Sequence, residues 1–179
     1  MFEALGKFRC VIVTGPQRSG ATLCAHAVAY DSGLRYVDEE DYGCDLDAWR
    51  EIVATGKGVV VHSPAMSRWV HEVVDRGDVF VIWMIRTTSQ VMLSESRIDW
   101  KDKEEKAKYR GVGAYVGKYP ISGVKLKYWR EVQRGMVRHW REVHYDELKA
   151  HTLWLPAEKR RNFGPRQWAL DGVEALVEA

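Results

Sequence analysis

Three cysteines, Cys10, Cys24 and Cys44, are too few and too scattered for a disulfide framework or a CxxC metal site, and are expected to be incidental thiols. The six histidines show no HExxH or comparable spacing, which argues against a protein-ligated structural metal. Only 5 prolines interrupt a chain that is 46% hydrophobic and 29% charged, so a fibrous or low-complexity polypeptide is excluded. No apolar run approaches the ~18 residues that span a bilayer, and MFEALGKF lacks the basic and apolar regions of a signal peptide. A soluble cytoplasmic protein with no membrane partner is expected. At 179 residues, one domain covering 1–179 can bury a single sizeable core.

The net charge of +2 hides a strong asymmetry. Met1 to Ser96 holds 9 Lys and Arg against 13 Asp and Glu, whereas Arg97 to Arg166 holds 18 against 9. Ten aromatic residues, from Trp100 to Phe163, are interleaved with those cations. Cations attract phosphates and flat rings can stack on exposed bases, so this segment is a candidate nucleic-acid surface. Solvated helix faces with aromatics turned inward are the alternative.

The order of elements is legible. Arg9 to Thr14 is a short apolar, β-branched run, followed by GPQRSG and a helix from about Ala21 to Tyr30. Further strands are expected at Leu34–Asp38, Gly58–His62, Val79–Ile85 and Glu142–Tyr145. Helices are expected over Leu46–Thr55, Ala65–Arg76, Thr87–Trp100 and Val124–His139. VFVIWMI is apolar throughout, as a strand buried on both faces must be. This alternation predicts an α/β three-layer sandwich around a central parallel sheet of about five strands. The stretch 101–123 reads as a lid or small insertion.

The stretch GPQRSGAT carries the sharpest signal. Gly15 and Gly20 bracket four residues and Thr22 stands where a phosphate-binding loop has its Ser or Thr, but Ala21 replaces the usual lysine. Such loops bind anions through consecutive backbone N–H groups and the positive end of the following helix, so most of the cradle survives the substitution. The candidate donor site is Gly15, Pro16, Gln17, Arg18, Ser19, Gly20, Ala21 and Thr22. Arg18 is the nearest replacement charge, and its planar fork suits phosphate or sulfate oxygens. A purely structural turn is the competing reading.

These residues resemble two groups. RSGAT is similar to the sulfotransferase loop that binds a 5′-phosphosulfate without a lysine; Arg86 and Ser94 match the pair with which that family holds a donor 3′-phosphate; HYDEL and RRNFGPRQW match its later motifs. GPQRSGAT, GLRYVDEE, SESRIDW, KLKYW, VHYDEL, HTLWLP and RNFGPRQW together resemble small bacteriophage P-loop kinase-like proteins of the 5-hydroxymethyluracil DNA kinase type. That resemblance implies ATP and Mg²⁺ as cofactors, DNA containing a modified pyrimidine as partner, and the host cytoplasm as location.

In an open parallel sheet the site lies beyond the carboxyl ends of the strands. Asp38 is the first candidate for the base or orienting carboxylate, with Glu39 and Glu40 behind it, or these acids cap the next helix. Thr22 and Asp38 are the candidate Mg²⁺ ligands, directly or through water. Arg86 and Arg97 are candidates for the transferring group's charge, and Gln90, Ser94 and Arg97 form one polar stripe. His62 is either a structural strand-end residue or the acid or base of a sulfotransferase-like reaction. Lys125, Lys127, Arg130, Arg134, Arg138 and Arg141 are the candidate nucleic-acid contacts; Arg130, Arg134, Arg138 and Arg141, spaced by four, four and three, are expected to form one basic face of a helix.

Overall fold

The computed structural model describes residues 1–73, 76–96 and 121–155. Arg97, residues 101–120 of the expected lid and the RRNFGPRQW segment lie outside the described residues.

Five strands, β1 (Cys10–Thr14), β2 (Arg35–Val37), β3 (Val59–His62), β4 (Val79–Ile85) and β5 (Trp140–His144), form one sheet in the order β2-β3-β1-β4-β5. Every pairing is parallel. Because side chains alternate across a strand, successive residues of the central strands feed two separate cores. Val11, Val13, Val60, Ile82, Met84 and Val143 pack on one face with α1 (Ala21–Ser32). Ile12, Val59, Val61, Val81, Trp83 and Ile85 pack on the other with α2 (Leu46–Thr55), α3 (Val70–Val73) and Trp129. This is the three-layer α/β sandwich expected from the sequence, and β4 is apolar because it is covered on both sides. Cys10 and Cys24 are fully buried, and burial pushes the Cys10 thiol up to about 12, so it is no nucleophile.

Several boundaries differ from the sequence expectation. β2 stops at Val37, which leaves Asp38 just beyond the strand. The first part of the expected Ala65–Arg76 helix is a series of turns leading into α3, described over Val70–Val73, and α4 is described over Thr88–Ser96. The largest correction concerns Val124–His139. α5, described over Ile121–Tyr128 and so reaching into the expected lid, passes into a π-helical turn over Trp129–Gln133, and then breaks. Trp129 sets this geometry: its ring stacks on Trp83 of β4 at 4.7 Å and 4°, and its indole N–H donates to Glu142 of β5. Arg138 and Arg141 therefore do not continue the helix. Arg138 follows the break, and Arg141 is on the edge strand β5.

Candidate active site

The loop from Gly15 to Ala21 joins the end of central strand β1 to α1, and two of its glycines are required there. Gly15 has φ +135°, and a Cβ would lie 2.8 Å from the Met84 carbonyl oxygen. Gly20 has φ +95°, and a Cβ would lie 2.4 Å from the Tyr145 ring. Both sites combine a left-handed backbone with no room for a side chain. Gly20 gives α1 no side-chain cap and the first turn of the helix has no acid, whereas α2 is capped by Asp45 on the Ala48 N–H. The α1 terminus therefore has neither a side-chain cap nor an acid of its own first turn to meet its N–H groups.

Arg18 stands in the loop with φ +64°, a costly conformation for a residue with a Cβ. The surroundings fix it. Its Nε donates to Ser94 Oγ of α4 at 3.1 Å, and its carbonyl accepts from the Arg86 guanidinium at 3.0 Å. Arg86 leaves the end of β4 and lies over the Tyr145 ring, 4.0 Å from its centroid. That ring is the one against which Gly20 packs. Tyr145 thus supports the loop and its cation together; its place in HYDEL is the sequence signal that could have identified it. Arg18 is thus brought together with Arg86 and Ser94. Gln90 is exposed on α4.

On the other side of the loop lies a row of polar groups from β2, β3 and α1. Thr22 Oγ1 is 3.3 Å from His62 Nε2. The opposite ring nitrogen, Nδ1, is 3.5 Å from Asp38 Oδ2, an ion-pair separation longer than a formed hydrogen bond. The Asp38 carboxylate also accepts from the Tyr36 hydroxyl and from the Glu40 N–H at 3.0 Å. Burial alone would raise the Asp38 carboxyl, but the His62 ring, the Tyr36 hydroxyl and the Glu40 N–H outweigh it and hold the group well below the usual carboxylate range. A carboxylate held this firmly ionised is a weak proton acceptor and a strong orienting charge. The His62 ring also stands between Thr22 and Asp38, the two expected magnesium ligands. His26, one turn beyond Thr22 on α1, stacks on Tyr36 at 3.9 Å; burial and the nearby His62 lower it to about 4 against the pull of Asp38.

The neighbouring acid Glu39 is buried and turns the other way, accepting the Ala65 N–H at 3.1 Å; burial raises its carboxyl. Glu40 and Asp41 are exposed.

Lys125 is the principal departure from the sequence reading. Expected on a nucleic-acid face, it is fully buried, and its ammonium reaches Gln17 Oε1 of the loop at 2.7 Å and the Pro64 carbonyl at 3.4 Å. Lys125, Trp129 and Gln133, spaced by four, are all 0% exposed, so a tryptophan flanked by polar residues at helical spacing was the available signal. The remaining candidate contacts are largely matched by carboxylates. Arg130 is bidentate on Glu142 at 3.0 and 2.7 Å, Arg134 approaches Glu142 at 3.9 Å and lies over the Trp140 ring, Arg141 meets Glu147 at 2.7 Å and Lys127 approaches Glu131 at 4.0 Å. Arg138 is exposed near Gly77.

No protein-family profile matches the chain, and no curated protein matches it. Among solved structures, a shikimate kinase from Acinetobacter baumannii in complex with shikimate aligns with a TM-score of 0.45 at 12% identity, covering 99% of this chain and 98% of that one. An unliganded sugar kinase from a Janibacter species aligns with a TM-score of 0.43 at 14% identity, covering 94% of each chain. Among the described residues, no helix is long and apolar enough to cross a membrane.

Proposed function

We propose that the chain is a P-loop phosphotransferase that moves the γ-phosphoryl group of ATP to a hydroxyl. The observation that carries this reading is the loop after β1, with two glycine-only positions, an uncapped α1 terminus, and Arg18 and Arg86 joined through the Arg18 carbonyl. Backbone N–H groups of the loop would hold the donor phosphates while the Arg18 guanidinium, anchored on Ser94, offsets their charge. Arg86 fixes the loop conformation. His62 would receive the acceptor's proton at Nε2, its ring oriented by the Asp38 carboxylate at Nδ1. This moves Asp38 from the direct base expected from the sequence to the group that orients the base.

The residues fit a magnesium ion held chiefly by donor phosphates and water, because the Thr22 hydroxyl at the head of α1 supplies one protein oxygen and such an ion keeps several waters. Asp38 lies on the far side of the His62 ring from that oxygen. When bound, the ion neutralises charge on the phosphate oxygens.

For the acceptor, we propose the hydroxymethyl group of a modified pyrimidine in DNA. The supporting features are the motif resemblance and the interleaving of cations and rings after Arg97. Incubation with γ-labelled ATP, Mg²⁺ and DNA containing or lacking 5-hydroxymethyluracil, followed by nucleoside analysis, tests both parts. Label on the modified nucleoside alone is expected. Label on free nucleotide instead would make the protein a nucleotide kinase, and DNA binding insensitive to Arg18→Ala with no turnover would make it a binding module.

A second reading, sulfuryl transfer from a 3′-phosphoadenosine 5′-phosphosulfate donor, is favoured by Ala21 together with the Asp38-oriented His62. Tight binding of that donor with no binding of ATP and Mg²⁺ would select it.

A further inference from the structure

The position that lacks its lysine is not without an ammonium nearby. We propose that Lys125, delivered from α5, takes over the role of the lysine missing at position 21 and binds the terminal phosphoryl oxygens of the donor held by the loop. This rests on the reading of the loop as a nucleoside triphosphate site.

Three observations support the assignment. Lys125 is 0% exposed, and a buried ammonium costs several kcal/mol of desolvation that its neighbours must offset. A neutral side chain of similar length would fill the same space without that cost. Its contacts belong to the two segments that border the candidate anion site: Gln17 is the third residue of the loop, immediately before Arg18, and Pro64 follows the end of β3 beside His62 and Ser63. The peptide joining Pro64 to Ala65 is itself held between opposite charges, its carbonyl accepting from Lys125 and its N–H donating to Glu39, itself 7% exposed. Gln17 and the Pro64 carbonyl are among the groups that hold the ammonium at the loop, and the Glu39 carboxyl feels its charge; charged phosphoryl oxygens can displace the two neutral acceptors.

Arg18 from the loop, Arg86 from the end of β4 and Lys125 from α5 thus place three positive charges around one phosphate cradle. Ala21 is 4% exposed and packs in the α1 core, so a lysine there would have to leave that core to reach the same point.

The test compares wild type, Lys125→Met and Lys125→Arg by calorimetric titration with ATP and with AMP, each with Mg²⁺. Lys125→Met is expected to weaken ATP about tenfold to hundredfold while AMP stays within about twofold, the loss of one charge-assisted phosphate contact. Lys125→Arg should recover part of the ATP affinity. Equal ATP affinity in wild type and Lys125→Met overturns the proposal and leaves the loop reading intact. A wild type that binds neither ATP nor AMP overturns the loop reading, and this proposal falls with it. If Lys125→Met does not fold, the Lys125 ammonium of ¹⁵N-lysine-labelled wild type is followed by proton–nitrogen correlation. Its signal should move on addition of ATP but not AMP, and an unmoved signal in ATP-saturated protein overturns the proposal.

Discussion

The Arg86 guanidinium donates to the carbonyl oxygen of Arg18 at 3.0 Å, so a charge from the end of β4 holds the left-handed arginine of the loop in place. Arg86 combines a planar fork with a face that lies on Tyr145. Lysine keeps the charge but loses both. Arg86→Lys should therefore weaken ATP binding about tenfold, the loss of one charge-assisted contact, with little change in kcat, as measured by titration and initial rates. A loss confined to kcat would place Arg86 at the transferring group instead.

Gly20→Ala and Gly33→Ala separate backbone strain from collision. Both glycines have positive φ, +95° and +69°, but only Gly20 faces an obstacle, the Tyr145 ring. Gly33→Ala should cost about 1 kcal/mol, and Gly20→Ala about 1–3 kcal/mol beyond that, by denaturant unfolding. Adding Tyr145→Ala to Gly20→Ala should remove the excess when compared with Tyr145→Ala alone. Equal costs for the two glycines would mean that the ring gives way.

His26 makes stability depend on pH. Its folded value of about 4 lies below the unfolded 6.5, because burial and the facing His62 of β3 outweigh the attraction of Asp38 beyond β2, while Tyr36 covers the ring. Between those two values the unfolded chain binds the extra proton, so stability falls as pH drops from about 6.5 toward 4. Asp38, whose folded value is lowered, adds a loss at the acid end of that range and below. His26→Phe, which keeps the stack on Tyr36, should flatten the upper part of the profile. An unchanged slope in urea unfolding between pH 6.5 and 5 would refute this assignment.

Glu142 tests the basic segment. It holds Arg130 and Arg134 and accepts the Trp129 indole N–H. Arg130 and the nearby Trp129 and Arg134 lower its carboxyl despite partial burial, so it stays charged at neutral pH. Glu142→Gln keeps an acceptor for Trp129 and releases two cations. If these arginines face DNA, affinity should rise and the salt dependence of binding steepen by about one to two in log–log slope. An unchanged slope would place them outside the interface.

The strand order and the loop were legible because each depends on local pattern. Apolar runs of the right length mark β1, β3 and β4, and a glycine bracket after β1 marks the turn. What stayed hidden depends on contacts between distant segments. Val124–His139 reads as a helix by composition, but the demand of Trp129 to stack on Trp83 and reach Glu142 breaks it. Lys125 reads as a surface cation because lysine is rarely buried, and the sequence hints at its burial only through its spacing of four from Trp129 and of eight from Gln133. The charge pairing that occupies Arg130, Arg134 and Arg141 is likewise set by strand β5, which no helical wheel can represent.

The link between Lys125 and Gln17 closes 108 positions of sequence, and those between Arg18 and Ser94 and between Arg86 and the Arg18 carbonyl close 76 and 68. Contacts of such range form late, after most of the chain entropy has been lost. A nascent chain emerging from the ribosome can pair β1 with β3 well before α5 exists, but its loop then lacks the ammonium and part of the support that shape it. On the proposed reading, competence to bind the donor phosphates would be complete only once α5 is in place, so that a partly synthesised or misassembled chain would not sequester nucleotide.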